Sequence, residues 1–292
     1  MGAVSIPRYE AFFKDESGLR RSLKFLLSKS EGSVIDVNLP NKAKTDDVLS
    51  WLDAIEKDEE LRGRVRAIAH YSMKNNYLGN AEARVRRVKS FAKGVASRGG
   101  DRALLVSGSG SRVSDTVEIL RRLSSDREWK RERGSFAFDV AFNPYFPEAA
   151  DLARERERLA LKLKSNMVRG VWFQIGCDLN ALEAGIESAR AIAGDAGTEV
   201  ELFGSVFLPT KSLLARMKFR PWAGVYLSEE YLSSVESAER ITKAQLEVFA
   251  RHGVTPLIES PILTDADFAQ CQRLLGVSSG TKRARETKDD GE

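Results

Sequence analysis

The sequence predicts a single (β/α)8 barrel of parallel strands, and three observations lead to that prediction. Strand-like and helix-like segments alternate eight times along the chain. No change in composition interrupts the alternation in a way that would mark a boundary between two domains. The length of 292 residues also fits, because such barrels typically contain about 250 residues. The main alternative for the same alternation is an open, doubly wound parallel sheet.

Eight short apolar segments are predicted to be the strands. The second of them ends at Pro40, because proline cannot donate a hydrogen bond to a neighbouring strand. In chain order the predicted strands are residues 4–12, 33–39, 65–70, 102–107, 136–142, 170–175, 200–207 and 255–258.

Each predicted strand is followed by a segment with apolar residues at helical spacing. Thr45 is a candidate N-cap for the second helix, and Gly99 and Gly100 end the third. From Val277 onward the residues are too polar to offset the entropy lost on ordering, so we predict a barrel over residues 1–276 and a disordered tail over 277–292. The predicted helices are residues 18–29, 48–55, 85–95, 113–123, 149–167, 179–193, 212–217 with 238–252, and 266–275.

The composition excludes several classes of protein. Hydrophobic residues make up 42% and charged residues 30% of the chain, and no apolar run reaches the roughly 18 residues of a membrane span. The first residues carry Arg8 and Glu10 and lack the apolar core of a secretory signal. Two cysteines, Cys177 and Cys271, are too few for a disulfide scaffold. We therefore expect a cytoplasmic protein without a membrane partner.

The charge balance and the absent motifs narrow the function further. A net charge of +4 is weak evidence for nucleic-acid binding, so no nucleic-acid partner is predicted. The sequence contains no H-E-x-x-H, no paired Cys-x-x-Cys and no G-x-S-x-G. No metal site and no hydrolase site are predicted, because those motifs supply the ligands or the nucleophile for such chemistry.

In a (β/α)8 barrel, functional residues lie at the C-terminal ends of the strands and in the loops that follow. Each such residue also has a structural interpretation: Glu10 could belong to a buried ion pair, and His70 could be a hydrogen-bonded core residue. The Gly/Ser run at 107–111 suits an anion but matches no full phosphate-binding motif. The candidates are Glu10, Asp36, His70, the run at 107–111, Asn143, Gln174, Asp178, Pro209, Thr210 and Glu259.

These strand ends resemble, in order, those of the methylenetetrahydrofolate reductase family, whose members are flavin-containing barrels. Residues 8–13, R-Y-E-A-F-F, are similar to the family's F-E-F-F segment, which places Glu10 on the catalytic acid. Residues 69–72, A-H-Y-S, resemble P-H-L-T, in which the histidine contacts the flavin, so His70 takes that place. Residues 104–109, L-L-V-S-G-S, stand where the family has L-A-L-R-G-D.

The second half of the chain continues the resemblance. Residues 140–149, V-A-F-N-P-Y-F-P-E-A, are similar to A-A-Y-P-E-x-H-P-E-A and lead without a gap to Glu155 and Lys162. In the family, those two positions hold the ribityl and phosphate part of the flavin. Gln174 with Asp178 resembles T-Q-x-x-F-D, whose glutamine binds the pterin, and residues 203–209, F-G-S-V-F-L-P, resemble P-G-I-x-P.

The sequence also departs from the family pattern. Ser109 stands at the position of a substrate-binding acid, and Ser107 and Phe142 stand at cofactor-binding positions occupied by Arg and Tyr in the family. A one-residue length difference before Gln174 leaves Lys164 as a competitor for the role of Lys162.

The resemblance implies the reduction of 5,10-methylenetetrahydrofolate to 5-methyltetrahydrofolate with NAD(P)H, through FAD. It also implies a folate as the small-molecule partner, with a homo-oligomer or a complex with a paralogous subunit as further possibilities. The altered flavin-side residues keep two alternatives open. One is direct hydride transfer without flavin in the same barrel. The other is a non-catalytic barrel that binds folate or a partner protein.

Overall fold

The computed structural model describes residues 6–30, 33–108 and 115–276. Eight strands, β1 to β8, form a closed barrel in sequence order, and each strand is parallel to its neighbours. The pairing of β1 with β8 closes the barrel, so the predicted fold class is confirmed and the open sheet is excluded. The predicted tail, 277–292, lies outside the described residues.

The strands agree with the predicted segments except at some ends. The first is shorter than expected, and the third extends two residues beyond His70. The strands are β1 Arg8–Glu10, β2 Ile35–Leu39, β3 Val65–Ser72, β4 Arg102–Val106, β5 Ala137–Phe142, β6 Val168–Phe173, β7 Glu201–Val206 and β8 Thr255–Ile258.

The helices surround the barrel. The expected N-cap at Thr45 is wrong: α2 begins at Val48, so the cap position is Asp47, whose side chain accepts a hydrogen bond from Ser50 N. The helices are α1 Glu16–Lys29, α2 Val48–Lys57, α3 Ala81–Ala96, α4 Thr116–Ser125, α5 Arg127–Glu132, α6 Ala149–Leu163, α7 Leu179–Asp195, α8 Lys211–Phe219, α9 Glu229–Ser233, α10 Val235–Arg251 and α11 Asp265–Leu275.

Side chains alternate along each strand between the helix layer and the barrel interior, as the period of two requires. The large apolar core lies between the sheet and the helices. A separate cluster of five buried residues fills the middle of the barrel, where the rings of Trp172 and Phe203 stack with their centroids 4.0 Å apart. The interior is therefore packed, and a ligand can approach the strands only from an end. The cluster is Ile68, Leu104, Trp172, Phe203 and Leu257.

Charged residues occupy the N-terminal end of the barrel, and Asp36 is among them. Its carboxylate accepts hydrogen bonds from Arg8 Nη1 at 3.0 Å and from Arg66 at 3.0 and 2.6 Å. The expectation that Asp36 lies at the opposite end, near the functional face, is wrong, because it is the second residue of β2 and not the last. Asn38 is two residues further along β2, so its side chain also points into the barrel and lies closer to the C-terminal end.

Candidate functional site

Glu10 is the last residue of β1 and faces the interior at the C-terminal end of the barrel. Its side chain is only 9% exposed, and its Oε1 lies 2.8 Å from Nζ of Lys42, which follows β2. Burial raises the pKa of Glu10, and the nearby ammonium group of Lys42 acts in the opposite direction. The structure thus places a desolvated carboxyl group where barrel enzymes carry their chemistry.

Glu259 directly follows β8 and is the second carboxyl group at this end. Its backbone N–H donates to Val206 O at 2.9 Å, which continues the ladder between β7 and β8. Burial, and then the negative charge of Glu10, raise the pKa of Glu259, while a hydrogen bond from Ser205 opposes them. Glu10 and Glu259 therefore form a buried carboxyl pair.

His70 points into the barrel from β3, next to Asn38 of β2. Its Nε2 is 2.9 Å from Asn38 Nδ2, so Nε2 accepts the hydrogen bond from the amide and the ring is neutral. Burial lowers the pKa of His70 to about 3, with further contributions from Lys42 and Arg8. His70 is consequently a neutral, fixed polar group at neutral pH and does not serve as an acid.

A cavity of about 470 Å³ opens beside the ends of β4, β5 and β6. It brings together five of the residues expected to bind the substrate or cofactor, although they are separated by up to 67 positions in the sequence. Its volume is within the range of small-molecule sites. The five residues are Ser107, Phe142, Glu155, Lys162 and Gln174. Ser109 lies outside the described residues.

Gln174 follows β6 and continues its pairing by donating from its backbone N to Phe142 O at 2.9 Å. Its Oε1 accepts a hydrogen bond from Ile175 N, which fixes the orientation of the amide. Within the part of the chain that the structure describes, its Nε2 has no hydrogen-bond partner. That NH2 group is a donor for a ligand in the cavity.

Helix α6 supplies the charged wall of the cavity. Lys162 is 4% exposed, and its Nζ donates to Ala141 O at 2.9 Å. Burial lowers the pKa of Lys162, whereas Glu155 acts to raise it. One turn away, Arg158 forms two 2.9 Å hydrogen bonds with Asp115 and lies 3.7 Å from Glu155. Lys164 is exposed and lies at the C-cap, so Lys162 is the lysine that lines the cavity.

A second wall of the cavity, near Ser107 and Phe142, carries few free polar groups. The Ser107 hydroxyl forms a 3.2 Å hydrogen bond with the Thr116 hydroxyl. The buried ring of Phe142 packs against Phe173 in the core between the sheet and the helices. Gly108, with φ of +79°, lets the chain turn at the end of β4, where a Cβ would come within 2.8 Å of Lys74. This wall therefore offers few polar contacts to a heterocycle.

A second cavity of about 610 Å³ adjoins the first and shares Phe146 and Tyr226 with it. Both residues belong to loops after β5 and α8, and their rings meet edge to face at 5.9 Å. Asn143 ties these loops together, because its Nδ2 donates to Gly224 O at 2.9 Å. Asp178 and Thr210, also candidates from the sequence, serve as N-caps of α7 and α8.

Sequence reasoning missed three residues of the site. Lys42 lies in a polar loop without a motif, Asn38 lies inside a strand, and Arg158 looks like one of many charged residues on α6. Only the position of Arg158, one turn from both Glu155 and Lys162, could have revealed it. Within 6–30, 33–108 and 115–276, no cluster of three or more metal-ligating side chains occurs, and no helix is long and apolar enough to cross a membrane.

Comparison with known proteins supports the fold. No protein-family model and no curated protein sequence matches the chain. An uncharacterized protein from Clostridium thermocellum that binds two copies of 5-methyl-5,6,7,8-tetrahydrofolic acid is similar in structure, with a TM-score of 0.59 and 12% identity over 92% of this chain and 93% of that one. A putative 2,5-diketo-D-gluconic acid reductase B has a TM-score of 0.51 and 14% identity, covering 97% of this chain and 88% of that one.

Proposed function

We propose that the protein is an oxidoreductase that reduces 5,10-methylenetetrahydrofolate to 5-methyltetrahydrofolate with NAD(P)H. The observation that carries the proposal is the buried Glu10 at the C-terminal end of the barrel, with its raised pKa. The resemblance of the strand ends to methylenetetrahydrofolate reductases gives this residue the role of the acid.

The chemistry requires such a group. Converting the methylene bridge to a methyl group needs a hydride at the carbon and a proton on the nitrogen that leaves it. A carboxyl group in a water-poor site retains a proton near neutral pH and can donate it. Glu10 would supply the proton, and His70 and Asn38, which are hydrogen-bonded to each other, would form a fixed polar wall beside it.

Gln174 and the 470 Å³ cavity support a folate as the substrate. The amide of Gln174 offers a free NH2 donor, which suits the edge of a pterin ring. The Clostridium thermocellum protein of similar fold binds a reduced folate. A folate in this chain would place its pterin at Gln174, with the reacting bridge directed toward Glu10.

FAD is proposed as the hydride-carrying cofactor, and the α6 wall of the cavity fits part of it. Lys162 would provide positive charge for a phosphate and Glu155 acceptors for ribityl hydroxyls, while Asp115 and Glu155 hold Arg158 in the same wall. When bound, FAD would supply the hydride that side chains cannot store. The residues of this chain would hold its polar chain and exclude water from the reacting bridge.

Direct hydride transfer from NAD(P)H without flavin is the second candidate. The observation that favours it concerns the cavity wall near Ser107 and Phe142. There Ser107 is hydrogen-bonded to Thr116, and Phe142 is packed into the apolar core. Neither residue offers a polar contact to an isoalloxazine ring. The nicotinamide would then occupy the cavity itself.

An absorbance spectrum of the purified protein, recorded with and without added FAD, separates the candidates. Oxidation of NAD(P)H that depends on methylenetetrahydrofolate would follow on the same sample. Turnover with bound flavin supports the first candidate, and turnover by a colourless protein that ignores FAD supports the second. Folate binding without any NAD(P)H oxidation would contradict both and identify a non-catalytic folate-binding barrel.

A further inference from the structure

The carboxyl groups of Glu10 and Glu259 come from neighbouring strands at the same level of the barrel. In the β1–β8 pairing, Arg8 is opposite Leu257 and Tyr9 is opposite Ile258. The next residues in both strands are Glu10 and Glu259, and the alternation of side chains points both inward. Two acids therefore face each other across one strand spacing.

Among the residues that the structure describes, Lys42 is the one cation paired with these two acids. Lys42 Nζ is 2.8 Å from Glu10, and its charge also acts on Glu259, where the Ser205 hydroxyl favours the ionised form as well. The other groups facing the pair are neutral or already bonded: His70 is neutral, and Arg8 binds Asp36 and Asn38. Two adjacent buried carboxylates repel each other strongly, so a site with one positive charge favours one ionised and one protonated acid.

We propose that Glu10 and Glu259 hold one proton between them, and that Glu259 stores this proton for Glu10 while Lys42 is paired with Glu10. When the Lys42–Glu10 contact opens, the proton passes from Glu259 to Glu10 and from there to the leaving nitrogen of the substrate. Glu259 then regains a proton from water, so the site returns to its starting state. The delivery step rests on the proposed function, but the sharing of the proton does not.

The geometry explains why the contact can open. Lys42 is 52% exposed, follows β2 in a loop and also lies over the ring of Phe12 at 3.8 Å. Its ammonium group can therefore move into solvent at small cost when a substrate enters. Glu259 has no such freedom, because its backbone is bonded to β7 and its carboxyl group is buried. Glu259 is thus a positioning residue that acts through Glu10.

Infrared difference spectroscopy tests the shared proton without any turnover. The wild-type protein is compared with Glu259→Gln at pH 7, and the C=O band of a protonated carboxyl group is measured. We expect the band to be present in the wild type and absent in the variant. An unchanged spectrum, with Glu259 ionised at pH 7, would overturn the proposal whether or not the protein reduces folate.

The same band, followed as a function of pH, tests the role of Lys42. Lys42→Met removes the cation paired with Glu10, so the band should persist to a pH about 1 unit higher than in the wild type. Lys42→Arg keeps the charge and should restore the wild-type titration. Lys44→Met, an exposed lysine two residues away in the same loop, is the matched control and should change nothing. Identical titrations for Lys42→Met and Lys44→Met would contradict the pairing.

The pH profile of kcat tests the delivery of the proton. Glu259→Gln should shift the alkaline limb of the profile to lower pH by about 1 unit, because Glu10 alone with Lys42 loses its proton more easily. Lys42→Met should shift the same limb to higher pH. A purely structural role for Glu259 would lower kcat without moving the limb. That result, together with an infrared band that shows the shared proton, would reject delivery by Glu259. A protein without folate turnover but with the band would instead reject the proposed function.

Discussion

The two ends of the barrel contain the same kinds of charged residue but differ in how those charges are compensated. At the N-terminal end, Asp36 binds both Arg8 and Arg66, and Arg102 binds Glu201 and lies 3.8 Å from Asp139. At the C-terminal end, Glu10 is paired with Lys42, and no residue that the structure describes forms a salt bridge with Glu259. The first arrangement pairs its acids with several cations, whereas in the second burial and the charge of Glu10 raise the pKa of Glu259. We infer that local compensation, more than residue type, separates a structural acid from a chemical one.

Replacing Arg8, at the N-terminal end of the barrel, should cause the largest loss of stability. Arg8 is 7% exposed, and its guanidinium group donates to Asn38, Asp36 and the backbone O of Val37. Arg8→Met would leave Asp36 with the largely exposed Arg66 as its remaining cation and would remove the donor to the buried Asn38, so we expect the free energy of unfolding to fall by about 3–5 kcal/mol. Denaturant unfolding measures the change. A loss below about 1 kcal/mol would show that this end is not held by its ion pairs.

Asp139 offers a test of the same end through pH. Burial raises the pKa of Asp139 to about 6, although Arg102 acts against it. The folded state binds this proton more tightly than the unfolded chain, so Asp139 contributes less to stability as the pH rises from about 4 to above 6. Asp139→Asn lacks this titration. Between pH 4 and 7 its free energy of unfolding should therefore rise by up to about 3 kcal/mol relative to that of the wild type. A difference that does not vary with pH would contradict the raised pKa.

Lys162 and Lys164 provide a matched pair for the cavity. Lys162 is buried in the cavity wall and Lys164 is exposed. Lys162→Met should weaken the binding of a phosphate-bearing cofactor by about 10- to 100-fold, since a hydrogen bond to a charged group contributes about 1.5–3 kcal/mol. Lys164→Met should leave the Kd unchanged. Equal effects of both variants, measured by calorimetry, would remove Lys162 from the site.

An exposed ion pair gives the smallest expected effect and sets the scale for the others. Arg240 and Glu230 are paired, but both side chains are 63% exposed. Arg240→Ala should lower the Tm by less than about 2 °C, because water screens the pair and already solvates both groups. A larger loss would mean that surface pairs stabilise this barrel as much as buried ones.

The sequence was sufficient to predict the barrel but not all of its local details. The alternation of apolar segments predicted every strand, since each lies in the sheet and shows the composition of a buried element. Asp36 was misplaced because the inner row of β2 carries two polar residues, Asp36 and Asn38, and the sequence does not show which is nearer the strand end. The cap at Asp47 was missed because Thr45 is an equally good capping residue in isolation.

The site was only partly predictable. Strand-end positions and the family resemblance led to Glu10, Glu155, Lys162 and Gln174, which the structure places at the C-terminal end of the barrel or in its cavity. Lys42 could not be found, because its contact with Glu10 depends on how the loop after β2 folds back over β1. Likewise, the coupling between Glu10 and Glu259 depends on closure of the barrel, which brings the first and last strands together.

The central claim, that Glu10 donates a proton in folate reduction, is tested most directly by Glu10→Gln. The amide keeps the size of the side chain and much of its hydrogen bonding but cannot donate the required proton. We expect kcat for methylenetetrahydrofolate-dependent NAD(P)H oxidation to fall by about 10²- to 10⁴-fold, while the folate Kd changes little. A Glu10→Gln protein that retains half of the wild-type kcat would contradict the claim.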